Sequence, residues 1–430
     1  MKGNSRVAAN MVGIFSIAVY NNSMMIRKAY KFRLNTTPDI DAKMAQYAGN
    51  CRFLWNKALA INLFKLENKQ KLFYYQELDF FSKLWKKSEE YSFLALSPAQ
   101  TLQQTLKQLE RAFKDAFDKN QPLKKIPVFK KRHGSNSFSF PQGFKLDGKR
   151  LFLPKIGWVN FRKSQEIIGN IKNITVSKSG KFWFASLQVE QEISTLKHPS
   201  TSVIGGDLGV KRLFTLSNGE YFEPINTDKF TVKIKRLQRK LAKKVRFSNN
   251  WKKIKQKITD LHSKIACVRR DRLNKISTSL CKSHAIIVLE DLKIGNMTKS
   301  SKGNSDVHGK MVKQKSGLNR VILNQGWGMF REMLKYKQLW LGGEVLFVDP
   351  KHTSQTCPEC SHKSPENRVS QAHFECKVCG YSGNADHVGA LNILARGHRV
   401  LACGDIGVSQ LVEAGTRVFR EKTPPNLVFN

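Results

Sequence analysis

The chain has 430 residues, enough for several domains with sizeable cores. It carries 74 Lys+Arg against 33 Asp+Glu, a formal net charge of +41, an excess that an enzyme for small molecules does not need and that points to a polyanionic partner such as nucleic acid. The 40% hydrophobic and 10% aromatic content excludes a disordered basic tail protein.

The first two dozen residues loosely mimic a secretory leader: Lys2 and Arg6, then an apolar stretch from Val7 to Tyr20. Asn10 interrupts that stretch, and a better start lies at Met24-Met25. Residues 1–24 therefore read as a disordered extension or an upstream start, and not as a secretion signal. No stretch approaches the roughly 20 apolar residues of a spanning helix.

Residues 26–35 alternate as a strand, and Thr37-Pro38-Asp39 opens a helix. Tyr47, Cys51, Leu54, Ala58 and Ile61 follow at helical spacing, and the aromatics of Phe53-Leu54-Trp55 read as core before base-stacking platforms. Ser97-Pro98-Ala99-Gln100 predicts a capping box, ahead of an apolar stripe of Leu102, Leu106, Leu109, Phe113 and Phe117. Residues 39–120 are thus expected to be mainly helical. From Pro122 the pattern turns to short alternating runs, with a hairpin turn at Lys178-Ser179-Gly180, which predicts a small β-barrel with the helical block inserted after its first strand. Lys130, Lys131 and Arg132 are candidate phosphate contacts within it.

Val203–Asp207 reads as a strand followed by a hairpin through Asn218-Gly219. Residues 229–257 hold thirteen Lys/Arg and no Asp/Glu, with Ile234, Leu237 and Leu241 at helical spacing. A helix or helix pair with a cationic surface fits, and Lys233, Arg236, Arg239, Lys240, Lys243 and Lys244 are its candidate nucleic-acid contacts. Residues 298–320 are rich in Gly, Ser and Lys and read as a mobile loop, before a strand at Glu344–Val348.

Three carboxylates far apart in sequence are the candidate catalytic residues. Asp207 and Glu290 close short β-branched runs, and Asp386 opens a helical segment, so the three can converge on one point. Clustered carboxylates raise one another's pKa unless cations neutralise them. Hard oxygen ligands suit magnesium, and two such ions can clamp the attacking and leaving oxygens of a phosphodiester. Asp291 is an internal rival, ranked second because alternation turns it to the opposite face, and Asp349 is a further spare acid.

Eight cysteines are present, four of them clustered. Cys357 and Cys360 form one Cys-x-x-Cys knuckle and Cys376 and Cys379 a second, fifteen residues on. That spacing points to one tetrahedral structural zinc in a reducing compartment, closed by four thiolates. His352, His362 and His373 read as surface histidines. The ribbon ends just before Asp386, which makes it an insertion within the catalytic domain.

The order Gly-x-Asp-Leu-Gly-Val, Val-Leu-Glu-Asp-Leu, Cys-Pro-x-Cys, Cys-x-x-Cys-Gly and Asp-x-x-Gly-Ala-x-Asn-Ile resembles the TnpB proteins of insertion sequences, formerly called OrfB-type transposases and related to type V CRISPR effectors. The match extends to Cys-Arg-Phe-x-Trp-Asn-Lys-Ala near residue 55, to Arg270-Asp271-Arg272 and to Ala402-Cys403-Gly404-Asp405. It spans Met25 to about residue 410.

The resemblance implies a multidomain α+β and α/β protein: a RuvC-like nuclease domain of RNase H fold at 198–350 and 381–415, with a zinc ribbon at 351–380 inserted. It implies a β-barrel wedge domain at 25–38 and 122–197, a helical recognition domain at 39–121 and a tail at 416–430. By the same analogy Asp207, Glu290 and Asp386 bind two magnesium ions, for which manganese can substitute. The activity implied is RNA-guided DNA cleavage in the bacterial cytoplasm, by a monomer at the nucleoid. The partners are a guide RNA from the transposon end and a double-stranded DNA target, with no membrane involved. Gly206 stands where the family usually has a larger apolar residue, and a slightly loosened strand is expected there. A non-cleaving accessory protein or repressor of transposition is the alternative, and the intact acids favour the nuclease.

Overall fold

A computed structural model describes residues 19–20, 23–132, 134, 136–194, 197–304 and 308–403. Most of the expected N-terminal extension, all of the tail at 416–430, and Gly404 and Asp405 lie outside the described residues. The chain divides into two compact units, Met1–Ser194 and Thr195–Asn430.

In the first unit β1 (Val19–Tyr20) pairs with the long strand β2 (Ser23–Asn35), so strand pairing begins inside the segment expected as an extension. Ile26, Tyr30, Phe32 and Leu34 are buried, as period-two alternation demands. Helix α1 (Pro38–Glu67) starts where Thr37 accepts a hydrogen bond from the Ile40 N–H at 3.4 Å. Helices α2 (Tyr75–Lys87) and α3 (Ala99–Phe117) complete the helical block. The capping box at Ser97 does not form: Ser97 Oγ instead accepts from the buried Asn50 amide at 2.9 Å. A buried amide left unpaired would cost more than a missing cap, so Asn50 takes the hydroxyl. Leu102, Leu106, Leu109 and Phe113 are fully buried, whereas Phe117 is half exposed.

Strands β3 (Ser137–Phe140), β4 (Lys145–Asp147), β5 (Arg150–Leu153), β6 (Gly157–Phe161), β7 (Asn170–Ser179) and β8 (Phe182–Ser194) join β2 in the order β3-β7-β8-β2-β6-β5-β4. The expected barrel is not closed by hydrogen bonds among the described residues. The path keeps two ends because β2 changes partner along its length, from β8 as far as Arg33 to β6 at Leu34 and Asn35. Both arms of the sheet and the helical block contribute to one hydrophobic core, with Phe32, Leu54, Leu106, Phe140, Leu153 and Trp183 inside it.

The second unit holds β9 (Val203–Asp207), β10 (Phe214–Leu216), β11 (Tyr221–Phe222), α4 (Asp228–Ala242), α5 (Asn249–Ser283) and β12 (Ile286–Glu290). It continues with α6 (Ile294–Met297), α7 (Val312–Gln325), α8 (Trp327–Leu341), β13 (Glu344–Val348), β14 (His373–Glu375), β15 (Ser382–Asn384) and α9 (Ala385–Cys403). The sheet order is β11-β10-β9-β12-β13, with β9, β12 and β13 mutually parallel and β10 and β11 antiparallel.

Ile204, Ile287, Leu289 and Phe214 bury one face of this sheet against side chains of α5 and α8, and Ile286 and Val288 bury the other against Ile393 of α9. Lys337 of α8 is tied to α5 through Asn274 Oδ1 at 2.6 Å, Ser277 Oγ at 2.8 Å and Thr278 Oγ1 at 2.6 Å. The mobile loop expected at 298–320 is helical from Val312, and α8 was not anticipated. Only Ile322 and Gln325 of α7 are buried, so its apolar period is weak. The helix is held instead by polar contacts, with Lys315 Nζ donating to the Met297 carbonyl at 2.6 Å and Asn319 to that of Thr298 at 3.0 Å. The cysteine ribbon runs on to Asn384 through the β14–β15 hairpin. No helix among the described residues is long and apolar enough to cross a membrane.

Candidate active site and metal centre

Asp207 ends β9 and Glu290 ends β12. The parallel register pairs Leu289 with Gly206, so the next residues, Glu290 and Asp207, are neighbours at the carboxyl ends of adjacent strands. Ligands of open α/β sheets gather at such strand ends. Both side chains share the face that carries α9, because Val288 and Ile286, two and four residues before Glu290, pack there.

Small residues let α9 lie close to that face. A Cβ on Gly205 would stand 2.6 Å from the Ala390 carbonyl oxygen, and one on Gly397 would stand 2.4 Å from Val288 Cγ2. Asn384 caps the helix, accepting from the Asp386 N–H at 3.1 Å and the His387 N–H at 3.3 Å. Asp386 thus sits in the first turn, one helical turn before Gly389, whose Cβ position is 3.3 Å from Asp207 Oδ2. His387 Nε2 ties the same turn to the Ser217 carbonyl at 3.2 Å.

Gly206 points the other way. A Cβ there would meet the Phe214 ring at 2.0 Å, and Phe214 itself packs edge-on to Phe330. The expected loosening of the strand is therefore absent, since the Phe214 ring fills the space that a larger residue would occupy.

Burial pushes Asp207 up to about 7, and the charges of Glu290 and Asp386 add to the rise, against a smaller pull from Arg368. Burial also raises Glu290, with Asp349 adding to it, while the Thr353 hydroxyl, donating at 2.5 Å, and Arg396 oppose it. Asp291 behaves oppositely: it is paired with Lys293 and with Arg331 at 3.0 Å, which hold it below its ordinary range. Asp349 accepts from the Lys351 N–H at 3.1 Å and stands near Glu290 as a fourth acid.

Thr353, Asn392, Arg368 and Arg396 were not singled out from the sequence. Asn392 donates to the carbonyls of Thr353 and Thr356, both at 2.7 Å, and so fixes the turn that holds Glu290. One signal was available, a polar residue on the buried stripe of an otherwise apolar helix, which must find partners.

The four cysteine sulfurs lie within 4.8 Å of one another, with Cys357 to Cys379 at 3.6 Å and Cys360 to Cys376 at 3.5 Å. Tetrahedral Zn–S bonds of about 2.3 Å require sulfur separations close to these. The two knuckles repeat one device, Ser361 N–H to Cys357 carbonyl and Gly380 N–H to Cys376 carbonyl, each at 3.1 Å. Amides of Cys379 and Val378 face the Cys376 sulfur and hold it down to about 6, favouring a thiolate, whereas burial raises Cys357 despite the amides of Cys360 and Glu359 that face it.

Among the candidate nucleic-acid contacts, Lys233, Arg236, Arg239, Lys240, Lys243 and Lys244 are all exposed on α4 and the turn after it, and Arg270 and Arg272 are exposed on α5. Lys131 and Arg132 are exposed as well. Lys130 differs. Its ammonium lies 3.6 Å from the centre of the Trp55 ring, and its backbone is clasped by Asn56 at 2.8 and 3.0 Å. Burial lowers it to about 8, so it serves packing before phosphate contact.

Comparison with known proteins finds a family model described as "Probable transposase" over residues 186–301 and a Cas12f1-like TNB domain over 327–393. A helix-turn-helix domain model matches residues 24–71, which here form β2 and α1. The chain is 49% identical over 399 residues to the putative RNA-guided DNA endonuclease InsQ of Escherichia coli K12, covering 92% of this chain and 97% of that protein. It is 29% identical over 387 residues to a putative RNA-guided DNA endonuclease of Streptomyces pristinaespiralis, covering 88% and 92%. A solved complex of Cas12f1 with guide RNA and target DNA aligns at a TM-score of 0.46 and 15% identity, over 86% of this chain and 98% of that one.

Proposed function

Because this chain belongs to the TnpB family of insertion-sequence proteins, we propose that it is an RNA-guided DNA endonuclease that hydrolyses phosphodiesters at Asp207, Glu290 and Asp386. The observation that carries the reading is the parallel register that sets Glu290 beside Asp207, under the capped first turn of α9. A mixed sheet of three antiparallel strands and two added parallel ones supports a RuvC-like, RNase H-type domain. Cys357, Cys360, Cys376 and Cys379 hold one structural zinc. The β-sheet of the first unit is the wedge and its helical block the recognition element, sharing one core.

The donor set fits hard divalent cations: three half-buried carboxylates, of which Asp207 is held near neutral by burial, with the charges of Glu290 and Asp386 adding to it, until positive charge arrives. Two magnesium ions, or manganese, would supply the Lewis acidity that activates water and neutralises the leaving oxygen. The chain's own residues set the stage for that chemistry. Thr353 orients Glu290 by donating to it, Asn392 fixes Thr353, and Asn384 fixes Asp386. The guide RNA and the double-stranded target meet the cationic surfaces of α4 and α5, in the cytoplasm at the nucleoid.

The test is cleavage of a plasmid that matches a supplied guide, with binding measured in parallel. Magnesium-dependent cleavage by the wild-type chain, lost in Asp207→Ala, Glu290→Ala and Asp386→Ala while binding persists, supports the reading. Binding of guide and target without cleavage in magnesium or manganese sinks it.

A further inference from the structure

The turn that joins α4 to α5 carries aromatic rings that none of the three hydrophobic clusters of the second unit uses. Between Lys243 and Lys255 there are six cations and no acid: Lys243, Lys244, Arg246, Lys252, Lys253 and Lys255. Phe247 is 60% exposed and Val245 is 79% exposed. Phe247 also holds φ at +68°, a region that a bulky L residue enters at a cost. Ser248 accepts from the Trp251 N–H at 3.2 Å and so fixes Trp251 in the first turn of α5. The two rings lie 5.4 Å apart at 57°. Arg246 stands 5.0 Å from the centre of Phe247, and Lys255 stands 4.7 Å from that of Trp251.

The arm is long and thinly anchored. Deeply buried side chains of α5 begin only at Ile265, and α4 buries only Ile234. Phe247 is therefore displayed where no core needs it, and the half-buried Trp251 packs beside it. An exposed ring in a strained backbone, flanked by cations and without a balancing acid, suits a ligand with a flat π-face and phosphates on either side. Nucleobases stack on aromatic side chains regardless of sequence, and neighbouring cations track the backbone.

We propose that the α4–α5 tip is a stacking platform for an unpaired nucleobase of bound nucleic acid, with Phe247 and Trp251 taking the base and Lys243, Lys244, Arg246 and Lys252 the flanking phosphates. The inference rests on the reading of the chain as a nucleic-acid-binding nuclease, and adds to it a site of base contact.

The experiment uses the full chain and three probes of equal phosphate count: a thirty-nucleotide oligouridylate, the matching oligothymidylate, and a thirty-unit abasic deoxyribose strand. Phe247→Gly combined with Trp251→Ala is expected to weaken binding of one or both base-bearing strands about tenfold, with the abasic strand unaffected. The slope of affinity against salt stays constant, because no cation is removed. A loss confined to oligouridylate assigns the base to RNA, and one confined to oligothymidylate assigns it to DNA. Phe247→Gly alone should melt no lower than wild type, since glycine tolerates the left-handed backbone. Equal weakening on the abasic strand, no weakening on either base-bearing strand, or a clearly lower melting temperature for Phe247→Gly overturns the proposal. These readouts do not depend on cleavage, so they separate failure of this site from failure of the nuclease assignment.

Discussion

The cysteine cluster takes its four sulfurs from two tight turns fifteen residues apart, each closed by its own backbone hydrogen bond. The carboxylate cluster takes its acids from β9, β12 and α9, which span residues 203 to 403, and nothing local holds them together. A cluster of the first kind is a property of a short segment. The second exists only when the sheet register and the seat of α9 are both correct. The two should therefore fail differently, the first by losing metal and local structure, the second by losing chemistry in a folded chain.

The largest expected effect is at the carboxylates. Asp207→Ala, Glu290→Ala or Asp386→Ala should each reduce guide-programmed cleavage on the order of 10³-fold or more, because residues that act as a unit are not partly dispensable. Asp291→Ala should change cleavage by less than about fivefold, and its cost is lost pairing with Arg331, roughly 1 kcal/mol of stability. If Asp291→Ala abolishes cleavage and Glu290→Ala does not, the assignment of the second acid is reversed.

At the cysteines, Cys376→Ser with Cys379→Ser should drop bound zinc from one per chain to none by metal analysis and lower Tm by roughly 5–10 °C. Wild-type protein that contains no zinc, or a double variant that melts unchanged, would remove the structural role.

The glycine seam under α9 comes next. Gly205→Val forces side-chain atoms against the Ala390 carbonyl and Leu394, and should cost about 2–3 kcal/mol in chemical denaturation. Gly206→Val meets the Phe214 ring instead, so Phe214→Ala added to it should recover much of that loss, a coupling that distant sites do not show. Strict additivity of the two changes would mean that Phe214 does not fill the space beside Gly206.

The smallest effect expected is on the cationic helix. Exchanging Lys233, Arg236, Arg239, Lys240, Lys243 and Lys244 for Gln should flatten the dependence of log affinity on log salt, by up to about one unit for each phosphate that the helix no longer neutralises. An unchanged slope would assign α4 to a merely solvated face. Lys130→Gln, in contrast, should leave the slope alone and lower stability through Trp55.

How legible the fold was depended on how local its causes are. The start of α1 at Thr37 and the two cysteine knuckles follow from residues within a few positions of one another. The missing cap at Ser97 did not, because its hydroxyl is claimed by Asn50, forty-seven residues away. Helix α7 escaped notice because its apolar period is weak and polar contacts hold it. The open path of the first sheet arises from β2 exchanging β8 for β6 at Leu34, a choice among strands that alternation alone cannot rank.

By itself, then, the sequence determined what is set by composition and by spacing: a strongly cationic chain of several cores, a pair of cysteine knuckles, strand-end acids and a cationic helix pair. Tertiary structure alone decided that Glu290 stands beside Asp207, that Asp291 is spent on Arg331, that Phe214 fills the place beside Gly206, and that Thr353 and Asn392 support the site. The reason is physical. Period and spacing fix which side of an element a residue occupies, but the partner across the gap is chosen by packing and by the need to satisfy buried polar groups, and both depend on residues far away in the chain.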